Sequence, residues 1–157
     1  MDFNQLVNSY GLYLASVIVG FSSALIPLIN IEAYLLLLGV LLKDSRLYFL
    51  LFLLTLTHLS GKMALYFIGR GSLKLNLFNL KKRIESAKAK YKMVRIGSLW
   101  TLLASALVGV PPFYVVSIIA GTMKIKVWQF FSIGFMGRLI RFSILLFLPQ
   151  IVAGILK

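Results

Sequence analysis

The sequence predicts an all-α integral membrane protein, on three observations: its apolar content, the block pattern of its hydropathy and the placement of its charges. Of 157 residues, 60% are hydrophobic and 13% charged, with mean hydropathy +0.93. An ordinary soluble domain is roughly 45–50% apolar and about 25% charged. In water this chain would expose wide apolar patches and aggregate, a cost that a bilayer removes. We therefore expect a single membrane domain over residues 1–157, multi-pass in the cell membrane, with no soluble globular domain.

Four apolar blocks follow one another. The first runs from about Gly11 to Leu42 and is interrupted at Pro27 and Asn30. The second covers about Leu47 to Ile68, and the third about Ile96 to Met123, interrupted by Pro111-Pro112. The fourth covers about Val127 to Ile155, with Pro149 late in it. A bilayer core of about 30 Å needs about 20 helical residues, so blocks two and four are long enough to cross. As one straight helix, block one would measure about 48 Å at 1.5 Å per residue; each half alone is too short. Proline removes a helical hydrogen bond and clashes with the preceding turn, so Pro27, Pro111 and Pro112 are read as helix breaks. Non-helical backbone at membrane depth survives only where protein or a wet cavity covers it. Blocks one and three are therefore expected to be re-entrant hairpins facing a shared interior; the other reading is two kinked, tilted transmembrane helices.

The same order occurs twice, over about 11–70 and about 96–155. Each half has a broken block, a glycine (Gly39, Gly121), a short polar turn and a spanning block carrying Gly61-Lys62 or Gly137-Arg138. Between the halves lies a basic connector, about 71–95, in which Leu80, Ile84, Ala87, Tyr91 and Val94 recur at helical spacing among Lys and Arg. It reads either as an amphipathic helix on the anionic inner leaflet or as a solvated linker. Under the positive-inside rule it is cytoplasmic, as is the Lys124/Lys126 turn, with both termini outside. The halves then have opposite orientations, an inverted repeat of the kind found in transporters.

Seventeen Lys and Arg against four Asp and Glu give a formal charge of +13. Nucleic-acid binders spread such charge over a solvated face. Here the basic run sits between apolar blocks, so it is read as topology and no nucleic-acid partner is expected. The chain has no Cys, which excludes disulfides and thiolate chemistry. The N-terminus lacks a basic n-region and is expected to be retained.

Polar side chains within apolar blocks are the informative ones. Arg138 and Arg141 lie near the middle of block four, where each costs roughly 2.5–3.5 kcal/mol on insertion scales. Their i, i+3 spacing places both on one face, suited to gripping one anion or to pairing with helix-end carbonyls. His58 and Lys62 share a face of block two. Lys62 either snorkels or joins the site; His58 is either a satisfied interior histidine or a proton relay. Glu32 is the only acid within an apolar block. It follows the first break, in the first turn of a half-helix for which Asn30 is the expected N-cap. One acid does not neutralise three cations, so the site is net positive and suits an anionic guest. Asn30, Glu32, Lys62, Arg138 and Arg141 are the expected substrate-binding residues, with Glu32 and His58 as the candidate proton relay. No hydrolytic motif, P-loop or carboxylate pair is present, so neither an enzyme nor a cofactor or metal is expected.

These residues carry a resemblance. Pro27-Leu28-Ile29-Asn30-Ile31-Glu32 with Gly39 resembles the turn, acid and glycine of the DedA superfamily, the VTT or SNARE-associated membrane proteins. Gly61 to Arg70 is similar to its G-x-x-x-x-Y-x-I-G-R segment. Val110-Pro111-Pro112, Ala120 to Met123, Gly137-Arg138 and Arg141-Phe142 resemble its second half, most closely in the small YqaA-like branch. The resemblance implies facing re-entrant hairpins and lipid transport, with undecaprenyl phosphate or phospholipids as cargo. It also implies acids near the first hairpin, matched by Glu32, and arginines in the second. The arginines usually flanking the second proline motif are missing, and Arg138 and Arg141 are expected to substitute from the next helix.

The leading expectation is a translocase or scramblase for an anionic lipid, with membrane lipids as partners and self-association compatible with the pattern. The alternatives are a small-ion or proton-coupled transporter and a non-transporting assembly factor. The topology is directly testable in this cysteine-free chain. A cysteine introduced at position 85 should react with a membrane-impermeant maleimide from the cytoplasmic side alone; labelling from outside would reverse the orientation.

Overall fold

The structure, a computed structural model, describes residues 3–26, 28–71 and 99–155. Six helices account for most of the described residues: α1 (Phe3–Leu25), α2 (Ile31–Leu41), α3 (Arg46–Gly71), α4 (Leu99–Val108), α5 (Phe113–Thr122) and α6 (Val127–Ile155). At about 1.5 Å per residue, α3 and α6 are about 39 and 44 Å long, enough for a hydrocarbon core of about 30 Å. The most apolar windows of α3 and α6 are only 44% and 28% buried. Apolar helices left this uncovered are suited to facing lipid rather than the core of a soluble protein.

Both expected interruptions are present. Between α1 and α2, the Ile29 N–H donates to the Ile26 carbonyl (3.1 Å). Asn30 is the N-cap of α2, its Oδ1 accepting from the N–H of Glu32 (2.9 Å) and Ala33 (3.3 Å). Pro27, expected to break this segment, lies outside the described residues. Between α4 and α5, Gly109 has φ +85°, the Val110–Pro111 bond is cis and Pro112 precedes the first turn of α5. The Ser105 hydroxyl donates to the Pro111 carbonyl at 2.5 Å.

One difference from the expected boundaries has a simple cause. α1 begins at Phe3, well before the apolar stretch Gly11–Leu25, because helical backbone bonding continues through polar residues that hydropathy does not count. Pro149 lies inside α6 without ending it. From residue 72 onward, the basic connector and its expected amphipathic helix lie outside the described residues.

Contacts sort the chain into two compact units, residues 1–61 with 142–157 and residues 62–141. α3 gives its first part to the first unit and its last turns to the second; α6 does the reverse. In the first unit, α1 runs parallel to α3, and Ala24 and the Phe21 carbonyl lie against the bare Cα of Gly61. Tyr13 meets Phe49 edge-on at 5.2 Å, and Ser16 Oγ and Tyr34 Oη form a 2.9 Å hydrogen bond between α1 and α2. α2 lies on the end of α6: Gly39 faces the Leu146 carbonyl, and the Gln150 amide donates to the Leu42 carbonyl at 3.1 Å. The turn before α3 is closed by Asp44, which accepts from the Arg46 N–H (3.0 Å) and pairs with its guanidinium. The Arg46 guanidinium holds the Asp44 carboxyl below its usual range.

The second unit repeats these contacts with different residues. α4 lies beside α6, with Ala106 against the Cα of Gly137. α5 lies on the end of α3, with Gly121 facing the Tyr66 carbonyl and Gly69 facing that of Ile118. Phe113, Phe130 and Tyr66 stack in a column with centroid separations of 6.0 and 4.8 Å. α5 ends in a two-bond turn, Ile125 N–H to Ala120 O and Lys124 N–H to Gly121 O, with Lys124 left-handed at φ 56°.

A side chain at Gly39 or Gly121 would collide with backbone, which no rotamer change relieves. Gly39→Ala and Gly121→Ala should each lower stability by about 1–3 kcal/mol. Gly154→Ala meets nothing within 4 Å and should stay within about 0.5 kcal/mol of the parent. Thermal denaturation in one detergent compares the three.

Candidate functional site

The second unit holds three of the expected site residues, all cationic. Lys62 and Arg138 are only 5% and 6% exposed. They lie near enough for their charges to interact. Arg138 places its guanidinium carbon 4.6 Å above the ring centroid of Phe113, the first residue of α5. That position uses the negative face of the ring to offset part of the burial cost of the cation. Arg141 reaches the other side of the same break: its Nη1 donates to the Leu107 carbonyl at 3.1 Å, near the end of α4. The guanidinium lies so close to Gly109 that a Cβ there would come within 2.6 Å of Nη1. The two arginines thus bracket the interruption at 109–112, one at the end of α4 and one at the start of α5. Pro111 and Pro112 form the turn between them. No acidic residue occurs among the described residues of this unit.

The first unit holds Asn30, Glu32 and His58. Asn30 uses its carbonyl oxygen for the cap, which leaves its amide N–H groups for another acceptor. Glu32 is half-buried in the first turn of α2, where exposed backbone N–H groups favour a negative charge. His58 is buried, 3.2 Å from Ser23 Oγ through Nδ1 and edge-on to Phe142 at 5.5 Å. Ser23 Oγ also lies 3.0 Å from the Gly20 carbonyl, to which it can donate. Thr55 and Thr57 donate to carbonyls of their own helix.

Several residues at these places were not singled out from sequence: Ser23, Ser105, Gly109, and Tyr66 and Arg70 as individual groups. A signal for the two serines was present. Ser23-Ala24-Leu25 and Ser105-Ala106-Leu107, like Gly39 and Gly121, recur at a single offset of 82 residues. Gly109 carried no such mark, because its need for a bare Cα arises from a guanidinium 32 positions further on.

Two apolar helices long enough to cross a bilayer, with short helices at two interruptions, suit a helical membrane protein. The VTT domain family model matches residues 26–150, so the chain belongs to the VTT domain family, the DedA or SNARE-associated group. No curated protein and no solved structure gave a match.

Loss of the Asn30 cap should be modest and specific. Asn30→Ala should cost about 1 kcal/mol, and Asn30→Ser should recover most of it because its hydroxyl accepts the same N–H groups. Denaturation midpoints of the three proteins provide the check.

Proposed function

We propose that the protein moves an anionic lipid across the cell membrane, and that the cations of the second unit bind its phosphate. The supporting observation is the placement of Arg138 and Arg141 on either side of the break at 109–112, with Lys62 buried near Arg138. Arginine offers a planar fork matched to phosphate, and two forks on one turn suit a tetrahedral dianion or diester. Helices α2, α4 and α5 have 11, 10 and 10 residues, about 15–17 Å each, which suits half-crossings. We therefore read the two broken segments as re-entrant hairpins of an inverted repeat, most akin to the YqaA-like branch. A net-positive site also agrees with the arithmetic of one intramembrane acid against three cations. Polyprenyl phosphate and phospholipid headgroups share the chemistry this reading requires.

Glu32 and His58 support a second feature, coupling to protons. His58 is a buried imidazole hydrogen-bonded to Ser23, and Glu32 supplies a carboxylate on the same unit. A transporter of small anions or protons would use the same groups, and an assembly factor would use them for packing alone.

Headgroup translocation in proteoliposomes separates these readings. Arg141→Ala, Arg138→Ala and Glu32→Ala should each reduce lipid flux at least tenfold while membrane insertion persists. Arg141→Lys should recover only part, because an ammonium lacks the bidentate fork. Flux of a small anion in place of the lipid would favour the ion transporter. Normal lipid flux in all three alanine variants would leave these residues as scaffold.

A further inference from the structure

Away from the arginine-bracketed turn, the second unit carries another cationic cluster, at the end where α3 stops and α6 begins. Buried Tyr66 donates its hydroxyl proton to the Ile125 carbonyl at 2.5 Å and accepts from Arg70 Nη1 at 2.6 Å. These two bonds in series hold Arg70 Nη1 no more than about 5 Å from that carbonyl oxygen. Ile125 is flanked in sequence by Lys124 and Lys126, so three cations gather around one turn. All three side chains are exposed. Lys124 occupies the left-handed position that ends α5, where glycine is usual. A lysine at that position, beside two like charges, departs from the local rule.

The surroundings indicate where this cluster lies. Trp128 is 74% exposed just beyond it, and Phe67 and Ile68 are half exposed on the last turns of α3. Tryptophan beside lysine and arginine at the end of an apolar helix marks the boundary between hydrocarbon and water. A free aqueous anion would not need that apolar shoulder. A lipid phosphate would use both, its oxygens on the cations and its acyl chains along Phe67 and Ile68.

The geometry points to a headgroup site for an anionic phospholipid at the membrane surface, built by Arg70, Lys124 and Lys126 and organised by Tyr66. It is distinct from Arg138 and Arg141 and stands whether or not the protein transports lipid. Arg70 keeps its remaining N–H donors for the phosphate while Tyr66 fixes its orientation, so the fork is ordered before the lipid arrives. Tyr66 is a positioning residue here.

The test uses Trp128 as its own reporter. In the Trp100→Phe variant of this chain, Trp128 is the single tryptophan. Reconstituted with brominated phosphatidylglycerol or brominated phosphatidylcholine, its quenching should show at least a twofold preference for the anionic lipid. Arg70→Gln and the Lys124→Gln/Lys126→Gln pair should each bring the preference close to one. Tyr66→Phe keeps every charge and the buried ring, and should also remove most of the preference. If Tyr66→Phe does not fold, Arg70→Lys takes its place, keeping the charge and losing the fork. Inorganic phosphate at millimolar concentration should not compete. Equal quenching by both lipids in the parent, or displacement by inorganic phosphate, would overturn the site. So would a preference that survives Tyr66→Phe or Arg70→Lys, since a diffuse basic field needs no ordered fork.

Discussion

Backbone polar groups inside hydrocarbon have no water to turn to, and every interruption of a helix there must be satisfied by the chain itself. The described residues supply such partners at both interruptions of the apolar blocks. At the first interruption, the Asn30 side chain takes two N–H groups of α2, and a short turn bond joins Ile29 to Ile26. At the second, Ser105 donates to the Pro111 carbonyl and Arg141 to that of Leu107. Proline contributes by subtraction: Pro111 and Pro112 bring no N–H to a place where a donor would be hard to satisfy. An arginine that serves a helix-end carbonyl also keeps a positive charge beside the turn. The same residue thus closes the backbone accounts and leaves a cation where an anion could bind.

A second requirement comes from packing without a hydrophobic drive between helices. Small residues let backbones approach closely enough for dispersion and polar contacts to hold helices together in lipid. Gly39 and Gly121 each face a backbone carbonyl, and Gly61 and Gly137 each meet an alanine, Ala24 or Ala106. Each unit uses both kinds of contact. Ala24 and Gly61 are 37 residues apart and Ala106 and Gly137 are 31, so these two contacts match in kind and not in spacing. Bulky apolar side chains such as Leu28, Val110 and Ile155 stay exposed, as lipid-facing or turn positions require.

Charge is divided unevenly between the units. The second holds Lys62, Arg138 and Arg141 in or near its interior, with Arg70, Lys124 and Lys126 at one end, and no acid among its described residues. The first holds Glu32 and His58, and its other described acid, Asp44, is engaged with Arg46 in an exposed turn. This excess of positive charge is what supports the proposal that an anionic lipid binds there.

The helices were legible in the sequence because their signals are local. Runs of apolar residues of lipid length marked α3 and α6, proline and asparagine marked both interruptions, and Asn30 could be recognised as a cap from the residues beside it. Glu32, Lys62, Arg138 and Arg141 were legible as residues too costly in lipid to lack a reason. Tertiary structure decided the rest, since partners far apart in the chain leave no local trace. Only the fold brings Arg141 onto Gly109, Arg138 onto Phe113 and Ser23 onto His58. Only the fold passes Tyr66 between Arg70 and Ile125. Hydropathy also stopped short of the true start of α1, because a helix is propagated by backbone hydrogen bonds that polar residues make as well as apolar ones. Composition and periodicity determined that this chain is helical and suited to a membrane; which cation meets which turn was settled by the geometry of packed helices.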